Sequence, residues 1–460
     1  ASAGDWGTAI GANSQAKNSA VALGRNTKAN TSSTALGNDA EADSISVAIG
    51  HDSKAKNGSI AIGDHVINSI GTDNKLIYDT TSRGSIANDS SIALKGKATG
   101  VNTVAIQGVA SGANSTAIGG AYASGEKAIA IGRDSIATGN KSIGIGANAN
   151  ASFDVTVVIG NQAKATQTDS VAIGNMANSG FQAVSIGSSS KATGDSSIAI
   201  GLGNFATGMQ STAIGNVVKA SGVNSITIGG NSEVKADSSG AYGYGNVIDT
   251  SAQNTYVIGN SNGSGNPVGA INSILLGNNN VASSGNLYNV GILGSNNKVE
   301  STFANILGSG NTIKSNAGST TIIGQGSTIE GTNSNASTNS ILMGNSTNIT
   351  NSTNAIAMGQ GLSISNSNSG TAVGQYSKLT NSIGSSAFGY KAEVTNSRLS
   401  LALGSEAAVT TDPWIGNRAS ENSIAIGNTT KIYSAKNSLA IGNASNIQEG
   451  EANLALGYDI

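Results

Sequence analysis

Cysteine is absent from the 460 residues, proline occurs twice, and aromatic residues make up only 4%. The missing cysteine excludes a disulfide scaffold and a thiolate metal site, and it suits a chain exported unfolded through a narrow pore. No apolar run approaches the ~20 residues of a membrane helix. The opening Ala1-Ser2-Ala3-Gly4-Asp5 has no signal-peptide layout. Any signal or membrane anchor is therefore expected outside these residues. Charge of one sign is also missing: 24 Lys plus Arg face 26 Asp plus Glu. Spread evenly, they supply no basic stripe for nucleic acid or for an anionic membrane, so neither partner is expected.

What is present is one short phrase, repeated from end to end. Ser19-Ala20-Val21-Ala22-Leu23-Gly24, Ser46-Val47-Ala48-Ile49-Gly50 and Ser197-Ile198-Ala199-Ile200-Gly201 are three copies. Their closing glycines fall at 11, 24, 37, 50 and 63, a step of 13, and later at 344, 359, 374, 389 and 404, a step of 15. A fixed period signals a solenoid, which grows in one dimension without enlarging its core. With 63 glycines but no glycine at every third position, the composition suits tight coils and not collagen. We read coils over 1–63, an insertion over 64–95, coils over 96–259, and coils with longer turns over 260–460.

Within each phrase large and small residues alternate, as in Ile129-Ala130-Ile131, so each is a short strand. The sequence predicts that the β-branched side chains face their own coil. The alanines, Ala130 and Ala199 among them, would then line a crowded face where identical chains pack, with Ile131 and Ile200 in the core beside it. The other half of each coil, such as Ser189-Ser190-Lys191-Ala192-Thr193-Gly194, is more polar and reads as a strand facing water with a lone inward alanine. Seven residues before the closing glycine stand Gly112, Gly125, Gly139, Gly180 and Gly194, or Asn30 and Asp43, types that tolerate positive φ and so mark the second corner. About 30 coils at the ~4.8 Å strand spacing would make a rod of roughly 140 Å.

The phrases Asn18-Ser19-Ala20-Val21-Ala22-Leu23-Gly24 and Asn437-Ser438-Leu439-Ala440-Ile441-Gly442 resemble the head repeat of trimeric autotransporter adhesins, the YadA-like family of Gram-negative bacteria. The resemblance covers nearly the whole chain and is specific through repetition, not through any one copy. It implies an all-β, left-handed parallel β-roll, a parallel homotrimer, attachment to a host receptor or extracellular matrix protein, and cell-surface location through an outer-membrane barrel. Some relatives bind immunoglobulin-like receptors of the carcinoembryonic antigen family, and others bind collagen or fibronectin. No neck motif, heptad stalk or barrel strand is found here, so the anchor is carried by analogy alone.

Candidates for other chemistry are few. Gly201-Leu202-Gly203-Asn204-Phe205-Ala206 fits a dinucleotide fingerprint, but a new strand phrase, and no helix, follows it. His51 and His65 stand in no spacing that pairs them with a second ligand or a nucleophile. No catalytic constellation emerges, so no enzyme, cofactor or metal is expected. Binding is expected on the surface, at exposed aromatics: Phe153 and Phe181, aligned on one corner two coils apart, Tyr78 in the first insertion, and Trp414 in the interruption between Gly404 and Gly427. The competing reading is a self-associating or autoagglutinating fibre segment without a host receptor.

Overall fold

The computed structural model describes residues 1–63, 84–283, 287–332, 334–411 and 419–460, together with the backbone of the strands Ile67–Ile70 and Leu76–Tyr78. Among the described residues there is no helix, and apart from that one ribbon every paired strand is parallel to its neighbours. The chain forms two compact units, Ala1–Asn224 and Ser225–Ile460.

In the first unit each coil carries two strands. Val21–Leu23 pairs in register with Thr34–Leu36, and that with Val47–Ile49, so Ala22, Ala35 and Ala48 stack. On the other side Lys28–Ala29, Glu41–Ala42 and Lys54–Ala55 stack likewise. Here the structure reverses an expectation. The alanines of both strands are completely or almost completely buried, while Ile129, Ile131, Ile198 and Ile200 are only half-buried. Ala130 and Ala199 therefore fill the coil, and the isoleucines point outward. In these coils of 13 or 14 residues the interior is filled mainly by methyl groups facing one another.

Two further corrections concern boundaries and corners. Ile86–Ala87 pairs with Lys54–Ala55, and Ile92–Leu94 with Ile60–Ile62, so the solenoid resumes well before the expected boundary at 95. Between them the chain makes an antiparallel ribbon, Ile67–Ile70 with Leu76–Tyr78, which lies against Val109–Ala110. At the second corner the positive φ belongs to the residue two positions after the glycine, such as Lys127, Lys141 and Gln182. Gly125 is needed for a different reason: a Cβ there would come within 2.0 Å of the Gly139 carbonyl oxygen in the next coil. The closing glycines meet both demands, Gly201 having a φ of 123° and a Cβ position 1.9 Å from the Gly215 oxygen.

The second unit shows what happens when coils lengthen. Its interior begins with Val234 and Ile248 and comes to pair Ile322 with Ile329 and Leu342 with Ile349, all fully buried. Strands on the polar side grow from two residues to three, as in Thr328–Glu330 and Asn348–Thr350. The added backbone widens the coil, and larger side chains fill the space. That change of core begins at Val234, within the second unit. Buried asparagines fasten successive coils: Asn262 Nδ2 donates to Asn246 Oδ1 (3.0 Å) and to the Gly277 oxygen (2.7 Å), and Asn262 Oδ1 accepts from the Asn280 amide (3.0 Å). Further along, serines take over, the Ser367 amide donating to Ser352 Oγ at 2.9 Å and the Ser382 amide to Ser367 Oγ at 2.9 Å.

Candidate functional site

A solenoid offers faces and edges. The strand phrase builds the first face. Parallel register sets Ile129, Ile143, Val157, Val171, Val184 and Ile198 in one outward column, and Ile131, Ile145, Ile159, Ile173, Ile186 and Ile200 in a second. The second unit repeats the pattern with Ile341 and Ile356 above Met343 and Met358, each between 38% and 44% exposed. Two continuous apolar columns in water are unusual for a soluble surface and mark an interaction face.

The opposite face carries the polar strands. Within the first unit its outermost column reads Lys164, Asn178, Lys191, Phe205 and Lys219 in unbroken register. The same column earlier in the chain holds Lys28, Glu41, Lys54, Ile86 and Lys97. The expectation of evenly spread charge fails here, because the fold gathers lysines that are far apart in the chain. A legible signal existed: each of these lysines precedes an alanine, and the inward alanine fixes the lysine outward. Lys28 is paired with Glu41 at 3.2 Å. In the second unit Lys378 pairs with Glu393 at 2.9 Å, and Lys314 with Glu330, whose carboxylate holds the ammonium above its ordinary range.

The corner edge holds the expected aromatic pair. The Asp169 amide donates to the Asp154 oxygen (3.1 Å) and the Gln182 amide to the Thr168 oxygen (3.2 Å), so successive coils stack there and Phe153 and Phe181 share one edge. Phe153 is 40% exposed and Phe181 half-buried. Val155 beside them is exposed with a φ of 56°, a strained setting for a β-branched residue. Tyr78 ends the ribbon, but its side chain lies outside the described residues, as do Trp414 and His65.

Around His51 the structure departs from expectation. Its Nδ1 lies 3.0 Å from Asp52 Oδ2, and Asp39 in the preceding coil brings a third ligand atom within 4.8 Å of the others. Asn13, Asn26 and Asp39 hydrogen-bond down the same corner, at 3.2 and 2.9 Å. The three donors are partly or largely solvent-exposed, so a divalent cation there would keep most of its coordination sphere in water. As expected, Ile198–Leu202 is followed by the strand Phe205–Ala206 and not by a helix, and the Asn204 side chain of that glycine-rich run is buried on the oxygens of Ile200 and Gly215.

No curated protein matches the chain. The family model of the YadA head domain repeat (2 copies) matches residues 123–149, 137–154, 156–175, 179–204 and 192–217. These are coils in which alanines fill the interior and isoleucines stand outside, the arrangement on which the two outward columns rest. The repeat over 123–217 thus matches that of the YadA-like head, the module that surface-exposed trimeric autotransporter adhesins present.

Proposed function

We propose that this chain is the adhesive head of a bacterial surface protein, held by an outer-membrane anchor in a Gram-negative cell and assembled as a parallel homotrimer. The observation that carries the reading is the pair of outward apolar columns, one from Ile129 to Ile198 and the other from Ile131 to Ile200. A thin coil filled with methyl groups has little core of its own, and burying those columns against two other copies supplies the missing apolar contact. Three copies then present three sets of edges and polar faces, so that weak contacts with host receptors or matrix act together. An immunoglobulin-like receptor of the carcinoembryonic antigen family, collagen and fibronectin are the partners to screen.

The corrected orientation changes the test. Arginine at Ala130 would now disrupt the coil itself, whereas Ile131→Arg with Ile200→Arg places charge in the face between copies. The unaltered chain is expected to sediment at equilibrium as a trimer, and the double variant as a folded species of lower mass. A folded monomer of the unaltered chain at micromolar concentration would remove the basis of the reading.

A further inference from the structure

The polar face of the first unit carries more order than an adhesive head requires. Lys164 and Lys191 stand two positions apart in one register column, with Asn178 between them and Phe205 next after Lys191. At the strand spacing of ~4.8 Å, the two lysines stand about 9.5 Å apart. Lys191 Nζ lies 5.4 Å from the centroid of the Phe205 ring, which fixes the ammonium on the outer face. Exposed Thr193 and Thr207 flank the column two residues on. From Gly160 to Gly222 the only acidic residues are Asp169 and Asp195, and both sit at the corner, off this strand.

We propose that this column is a binding site for a linear sulfated polysaccharide lying along the coil stack. A chain of disaccharide units presents its sulfates at wide, regular intervals, which lysines in alternate coils can meet one by one. Threonine hydroxyls are placed to hydrogen-bond sugar hydroxyls, and the Phe205 ring offers a flat apolar surface to a sugar face. Nucleic acid fits less well, because a single strand carries a charge about every 3.4 Å and is held by successive stacking aromatics, of which the column has one. The inference deepens the adhesive reading by naming a partner chemistry, and it rests on that reading for its setting. The site lies on the face opposite the apolar columns, so trimer formation leaves it open.

The test uses the full chain and immobilised heparin as the probe. Saturable binding that weakens with salt is expected. Lys164→Gln with Lys191→Gln should lower affinity at least about fivefold, the modest loss expected when two exposed ion pairs are removed. The log–log salt slope should fall by about two, one for each contact removed. Lys164→Arg with Lys191→Arg should keep the affinity, which separates charge from any folding defect. Three results overturn the proposal: no binding to heparin, an unchanged affinity in the glutamine variant, or equal affinity for desulfated heparin or oligo-dT. Attachment to cells lacking glycosaminoglycans, measured in parallel, separates the two readings. Attachment that persists without heparin binding rejects the polysaccharide site and leaves the adhesin, whereas loss of both rejects both.

Discussion

At the scale of single residues, glycine spacing was legible and its cause was not. Positions such as Gly125 suggest positive φ from residue type alone, yet what they supply is room for the next coil. The structure separates the two demands at neighbouring positions. Gly203 has a φ of 61° with its nearest neighbour 3.8 Å from a Cβ, whereas at Gly201 a Cβ would overlap backbone. Gly203→Ala should therefore cost about 1 kcal/mol, the ordinary penalty for a left-handed alanine. Gly201→Ala should cost more than about 4 kcal/mol, and unfolding midpoints in urea would rank them. Asp43 gives a second residue-scale test. A hydrogen bond from Asn30 Nδ2 (2.8 Å), and then the Ser44 amide, hold its carboxyl below the usual carboxylate range. A depressed value means that its stabilising contribution is present above the ordinary carboxylate pKa and is lost as pH falls through the lower folded value. Exposure keeps that contribution small, but titration by NMR should find Asp43 below the ordinary carboxylate value, and Asn30→Ala should move it upward.

At the scale of the strand and coil, alternation revealed two faces without saying which one was inside. Val-Ala-Ile is equally consistent with either choice. What decides is how closely the two strands of a coil face each other, and that is set across the coil and not within one phrase. The asparagine ladder was invisible for a related reason: Asn246, Asn262 and Asn280 look like turn residues until neighbouring coils bring each beside the last. Asn262→Ala would strip partners from the Gly277 oxygen and the Asn280 amide. The expected cost is on the order of 1–3 kcal/mol, because the Asn280 amide stays buried without its partner and the Gly277 oxygen is partly buried. Hydrogen exchange should show the Asn280 amide losing protection while coils beyond Ala355 are unaffected, since solenoid coils contact mainly their neighbours.

For the whole molecule, the sequence showed a repeating all-β chain and placed Phe153 and Phe181 on one edge, but it hid the lysine column, because charge was counted along the chain and not across coils. If that edge holds the receptor contact, Phe153→Ser with Phe181→Ser should leave assembly intact and weaken binding to the receptor found by screening by at least ~2 kcal/mol, read by surface plasmon resonance. Unchanged affinity with unchanged assembly would turn attention to the ribbon around Tyr78. The match between coil length and core size reaches further, into inheritance. One step from Gly187 to Gly201 is 14 residues of chain and also a tandem stretch of gene. Unequal recombination that gains or loses such a step within the first unit returns alanine above alanine and glycine above glycine, so it passes without penalty. A crossover that joins a coil like that of Ala199 to one like that of Leu342 sets a large side chain over a space made for a methyl group. Variation in length should therefore accumulate inside each class of coil and stop at the border between them, so that the number of coils can change while each kind of surface is kept.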